Sequence, residues 1–190
     1  GLMHGSRIRH RPIPDVIQEI EQIDNRLVFF VDNNIISQTK RAKELFKAMI
    51  PLKKKWVAQA TISMAKDPDL MKTASQSGCF GLLIGLESVI KQGFEKYNKS
   101  LKSLDELKEA LRILKDNGIA VLATMVFGND YETEATFAES LHNLMDLDLV
   151  TASLGILIPY PGTKFAQELD RDNRILTKDW DYYDINNLVF

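Results

Sequence analysis

Phe80-Gly81-Leu82-Leu83-Ile84-Gly85-Leu86-Glu87-Ser88 is an apolar run that ends on an acidic residue. A strand buried in a parallel sheet reads as such a run, and in α/β folds the carboxyl end of the strand is where ligands bind. Four further strand ends carry polar or turn residues: Asp32-Asn33-Asn34, Gln59-Ala60-Thr61, Gly128-Asn129-Asp130 and Pro159-Tyr160-Pro161-Gly162-Thr163. The expectation is five strand ends around one site.

Between these runs lie helical patterns. Val16, Ile17, Ile20 and Ile23 follow Pro12 and Pro14 over residues 15–23, before the apolar strand 27–31, which reads as buried on both faces. Ala42, Leu45, Phe46 and Met49 mark a second helix closed by Pro51, and strand 56–62 follows. Asp67-Pro68 starts a third helix that Gly78 stops just before the strand holding Glu87. Ser103 and Glu106 have capping-box spacing ahead of Leu107, Leu111 and Leu114, with Gly118 as the stop. Strand 119–127, a helix with Phe137, Leu141, Leu144 and Met145, strand 150–158 and a helix over 164–169 complete an αβαβαβαβαβα order. Right-handed crossovers of this kind build either an open doubly wound sheet or a barrel wall. Opening on a helix and closing on Trp180, Tyr182, Tyr183, Leu188, Val189 and Phe190 suggests an excised piece of a longer protein, with a preceding strand absent.

The 190 residues, 45% apolar and 26% charged, suit one soluble domain. A net charge of −2 gives no nucleic-acid footprint, and Lys53-Lys54-Lys55 reads as a solvated strand entrance. No stretch is long enough to span a bilayer and residues 1–7 lack signal-peptide regions, so the expected location is cytoplasmic. One cysteine, Cys79, excludes an intrachain disulfide and any site built on several thiolates of this chain. His4, His10 and His142 show no metal-ligand spacing, and no metal-binding residue is assigned.

Taken in order, Arg9-His10-Arg11-Pro12 with Val16-Ile17-Gln18-Glu19-Ile20, Phe30-Val31-Asp32-Asn33-Asn34, Trp56-Val57-Ala58-Gln59, Ser77-Gly78-Cys79 leading to Ile84-Gly85-Leu86-Glu87-Ser88, Lys115-Asp116-Asn117-Gly118-Ile119 and Pro159-Tyr160-Pro161-Gly162-Thr163 resemble the radical SAM superfamily. The likeness is to the branch often fused to a cobalamin-binding domain, and Trp180-Asp181-Tyr182-Tyr183-Asp184 resembles the segment after its barrel. The resemblance implies a partial (β/α)6 TIM-like barrel of which five parallel strands are present. Its domains would be a leading segment 1–13, the barrel over 14–175 and the start of an extension over 176–190. It further implies S-adenosylmethionine and a [4Fe-4S] cluster as cofactors, cobalamin through a separate domain, an external electron donor and a small-molecule substrate from which a 5′-deoxyadenosyl radical takes hydrogen. The family's C-x-x-x-C-x-x-C loop is not in this sequence, and Cys79, at the opposite end of its strand, does not replace it.

Glu87 is the leading site residue, a carboxylate able to accept from a ribose hydroxyl or an ammonium group. The resemblance places it among the residues holding S-adenosylmethionine, with Ser88 beside it; a capping or ion-pairing glutamate is the competing reading. Asp32, Asn33 and Asn34 read either as cofactor-lining or as turn residues. Gln59 and Thr61 read as a cavity-facing pair or a satisfied core pair. Val126 and Gly128 lie against the adenine in the resemblance, and Tyr160 reads as a wall of the site while Thr163 caps the last helix. The expected function is reductive cleavage of S-adenosylmethionine by a cyclase-, methyltransferase- or methylthiotransferase-like enzyme, with this chain alone inactive. A non-enzymatic barrel binding a nucleoside or a partner, and a cluster-free barrel enzyme, are the alternatives.

Overall fold

The computed structural model describes residues 8–97, 100–147 and 149–190; the leading residues 1–7, including His4, lie outside it. One sheet of five parallel strands runs in sequence order: β1 (Leu27–Phe30), β2 (Lys55–Ala60), β3 (Cys79–Glu87), β4 (Ala120–Phe127) and β5 (Thr151–Ile156). Helices α1 (Ile13–Glu21), α2 (Thr39–Met49), α3 (Pro68–Gln76), α4 (Lys91–Tyr97), α5 (Leu104–Asp116), α6 (Glu134–Met145) and α7 (Lys164–Arg171) alternate with them.

Burial decides between the two architectures that periodicity left open. On β1 to β4, Val28, Trp56, Ala58, Ala60, Leu82, Ile84, Leu86, Val121, Ala123 and Met125 are buried in the core cluster with the apolar faces of the helices. The alternate positions point the other way. There Leu27, Phe29 and Leu122 are 47%, 56% and 42% exposed, which a doubly wound sheet covered on both faces would not leave. Strands adjacent in sequence are also adjacent in space, with no switch point, so the sheet is a barrel wall with an open inner face. The expectation that strand 27–31 is buried on both faces is therefore corrected. β1 also stops at Phe30.

Trp56 is the keystone of the helix-covered side. Fully buried, it packs its ring on Phe46 at 4.9 Å and against the edge of Phe30 at 5.7 Å, while its Nε1 donates to the Ser77 hydroxyl at 3.0 Å. Ser77 belongs to the turn in which Gly78 takes a φ of +97° and would, with any side chain, run into the Lys54 carbonyl. Gly78→Ala is expected to cost more than about 1 kcal/mol, read as a lower thermal midpoint, because both backbone angle and space forbid the methyl group.

The helix stops and caps follow the sequence with three departures. Asp67 accepts from the Leu70 amide at 2.9 Å, and its carboxyl is held below the ordinary range by that bond first and by the Lys43 ammonium second. Ser103 accepts from the Glu106 amide, but the Glu106 carboxylate reaches back to the Lys102 amide rather than to Ser103, so the box is not reciprocal. Helix α4 was not expected: only Gly93 and Phe94 are buried in it, too few to imprint a helical period. The apolar face expected on α6 is largely open, with Phe137, Leu141 and Met145 at 48%, 61% and 78% exposure.

Candidate functional site at the carboxyl ends of the strands

The last inward-facing turn of β3 is irregular. The pairing with β4 shifts register between Gly85 and Glu87, Glu87 takes a φ of +62°, and the Ser88 amide donates to the Leu86 carbonyl at 2.7 Å. A left-handed glutamate in so tight a turn is a strained arrangement of the kind kept at functional sites. It folds the side chain back over the inner face, where a Cβ on Gly85 would lie 2.5 Å from Glu87 Oε1 and 3.7 Å from Thr124 Oγ1. Glu87 thus sits over a glycine and beside a hydroxyl, half-buried, with no hydrogen bond from a described residue to its carboxylate. Burial pushes its pKa up. Gly85→Ala is expected to displace the carboxylate while leaving the strand paired, so that ligand affinity falls and the amide spectrum elsewhere is kept.

Register carries the same patch onward. Gly85 pairs with Thr124, Thr124 with Ser153 and Val126 with Gly155, all on the inner face. Gly128, at a φ of +104°, opens the following loop, which the Glu132 carboxylate organises by accepting from the Gly128 and Asn129 amides at 2.6 and 2.8 Å. Asn129, itself buried, receives Lys96 Nζ at 2.8 Å and the Tyr97 hydroxyl, which ties α4 to this loop. Asn129 belongs to a strand end singled out in the sequence, whereas Thr124, Glu132, Lys96 and Tyr97 were not. A glutamate four residues beyond a turn glycine was the readable signal for the loop; the tie to α4 had none.

The other expected residues divide. Val126 lies on the inner face near Glu87, whereas Gly128, just beyond β4, faces Leu157 and Phe190. Gln59 lies half-buried on the inner face, paired with Leu83, and its carbonyl accepts from the Ile35 amide. Thr61 falls outside β2 and bonds Ser63 Oγ at 2.8 Å, so the two do not form a strand pair. Ser88 is buried against Gly93 of α4 rather than beside the Glu87 carboxylate. Asp32 and Asn34 line a cavity of about 440 Å³ beside β1 with Arg9 and Arg41, apart from the Glu87 patch, and Asn34 Oδ1 accepts from the Ile36 amide as a turn residue does. Asn33 is exposed, as is Tyr160 at 48%. Thr163 accepts from the Ala166 amide and caps α7.

Cys79 lies at the amino end of β3, away from Glu87, and burial pushes its thiol up to about 12. The described residues hold no grouping of three metal-ligating side chains, and one buried thiol does not fit an iron–sulfur cluster. Cys79 is expected to resist a neutral-pH thiol reagent in the folded chain and to react fully in denaturant; fast labelling of the native chain would contradict its burial.

No family model matches the chain. The bacteriochlorophyllide d C-12(1)-methyltransferase of Chlorobaculum tepidum is 27% identical over 99% of this chain and 42% of its own length. The anaerobic magnesium-protoporphyrin IX monomethyl ester cyclase of Cereibacter sphaeroides is 29% identical over 85% of this chain and 28% of its own. The chain therefore spans less than half the length of these curated relatives. Among solved structures, the radical S-adenosylmethionine methyltransferase TsrM of Kitasatospora setae, with cobalamin and a [4Fe-4S] cluster bound, superposes with a TM-score of 0.71 over 85% of this chain and 34% of its own, at 19% identity. What that structure shares with this chain is the fold.

Proposed function

We propose that this chain, whose homologues are radical SAM methyltransferases and a protoporphyrin ester cyclase, is the S-adenosylmethionine-holding wall of an enzyme of that kind. The observation that carries the reading is the Glu87 carboxylate, half-buried over Gly85 beside the Thr124 hydroxyl on the inner face and without a hydrogen-bond partner among the described residues. Such a carboxylate accepts two hydroxyl hydrogen bonds from a ribose diol, and partial desolvation strengthens them. Gly85 leaves the room that the Glu87 carboxylate fills, Thr124 offers a hydroxyl and Val126 an apolar surface for a purine. When bound, S-adenosylmethionine supplies a transferable methyl group and a source of radical chemistry. The residues of this chain bind and orient it.

Methyl transfer is the preferred reaction because the bacteriochlorophyllide relative and TsrM are both methyltransferases. The open inner face carrying Leu27, Phe29 and Leu122 favours a substrate with a broad apolar surface. Cluster thiolates would come from outside these 190 residues, so treating the chain alone with iron and sulfide is expected to give no stoichiometric [4Fe-4S] absorption.

Titrating S-adenosylmethionine, to millimolar concentration, into the isotopically labelled chain tests the reading. Amide shifts concentrated at Gly85, Glu87, Thr124, Val126 and Gly128 are expected. Shifts confined to the cavity beside β1, or none, would overturn it.

A further inference from the structure

The chain after α7 returns to β5. The Leu176 amide donates to the Val189 carbonyl at 2.9 Å, Val189 is fully buried, and Phe190 packs edge-on against Phe165 at 5.3 Å. Between these anchors and β5, the Ile156 amide donates to the Ile185 carbonyl at 2.7 Å. The bend is held by Asp184, whose carboxylate accepts from the Asn186 and Asn187 amides at 2.9 and 3.1 Å. Ile185 itself takes a φ of +64°.

A β-branched residue in the left-handed region is a rare and costly choice. Glycine or asparagine would satisfy the same bend without strain, so the bend alone does not explain an isoleucine. Its side chain gives the reason. Ile185 Cβ and Cδ1 both lie 3.5 Å from where a Cβ of Gly155 would stand. Gly155 pairs with Val126 on the inner face, and the absence of a side chain at 155 opens the space that Ile185 enters. The isoleucine nevertheless remains 46% exposed: it covers the glycine and keeps an apolar surface turned to the open face.

We infer that Ile185 is a ligand-contacting residue, the β5-side wall of the nucleoside site, which extends the apolar surface of Val126 across Gly155. The inference rests on the reading of the inner face as an S-adenosylmethionine site. On this account the segment 184–190 is part of the binding site, and the strain at Ile185 is retained for the apolar contact that it provides.

The test uses 5′-deoxyadenosine as probe, with affinity read from amide shifts and stability from thermal melting, for the unaltered chain and for Ile185→Asn, Ile185→Gly, Ile185→Leu and Glu87→Gln. Asn and Gly suit the left-handed angle, so both variants are expected to melt at or above the temperature of the unaltered chain while binding about tenfold more weakly, the loss expected for part of an isoleucine's burial. Ile185→Leu keeps an apolar wall and is expected to retain affinity. A purely structural role would move melting and leave affinity alone. If Ile185→Asn and Ile185→Gly bind as the unaltered chain does while Glu87→Gln is weakened, the inference fails and the site stands. If they unfold or lose the ligand-free Gly155 signal, Ile185 is a structural residue and the inference fails. If the unaltered chain shows no inner-face shifts, the site reading fails and the inference with it.

Discussion

Glu87→Gln is expected to weaken binding of S-adenosylmethionine or 5′-deoxyadenosine about ten- to hundredfold, the value of one or two hydrogen bonds to a charged group, and to raise the thermal midpoint slightly at neutral pH. The two effects have opposite signs for one reason. Burial raises the folded-state pKa of Glu87, so its relative contribution to stability is fully present below the unfolded carboxylate pKa and is lost as pH rises through the folded value. Glutamine cannot ionise and carries no such loss. Half of the side chain remains in water, so the gain is small, and it disappears when the two chains are compared in acid. A variant that both destabilises the fold and leaves binding intact would return Glu87 to a structural role.

The largest loss of stability is expected from Trp56→Ala, about 4 kcal/mol for truncating a fully buried tryptophan. The Ser77 hydroxyl loses its donor, Phe46 and Phe30 lose their ring partner, and helices α2 and α3 lose the side chain between them and the sheet. In a chain of this size that corresponds to a midpoint lower by roughly 10 °C. Against a total stability of about 5–15 kcal/mol, the variant retains only a narrow margin. Trp56→Phe, which keeps one aromatic ring but loses the rest of the indole and its bonds to Ser77, is expected to cost less than Trp56→Ala, about 2 kcal/mol.

Those two residues mark the contrast between what is local and what is not. The five strands, the glycine stop at Gly78 and the caps at Asp67 and Thr163 were legible because each rests on a run or a spacing of a few residues. The one-sided burial of β1 was not: Leu27, Phe29 and Val31 are as apolar as core residues, and only the absence of a covering layer exposes them. Glu87 was legible as a strand-end acid, whereas its fold over Gly85 depends on a register shift against β4 that no periodicity records. Ser88 lies under α4, a helix too short to show a pattern. Asp32 and Asn34 end a strand as Glu87 does, and they line the cavity beside β1. Ile185 was illegible altogether, since its place is set by a return of the chain to Gly155 from thirty residues away.

The central proposal is that the Glu87 carboxylate on the inner face, without a hydrogen-bond partner among the described residues, holds the ribose of S-adenosylmethionine. It is tested most directly by following the Glu87 side-chain carbon through a pH titration, with and without 5′-deoxyadenosine. The account predicts a midpoint above the ordinary glutamate range in the free chain, falling when the nucleoside is added, because a diol that hydrogen-bonds the ionised carboxylate stabilises the charged form. An ordinary midpoint, or a raised one that the nucleoside leaves unchanged, would contradict it.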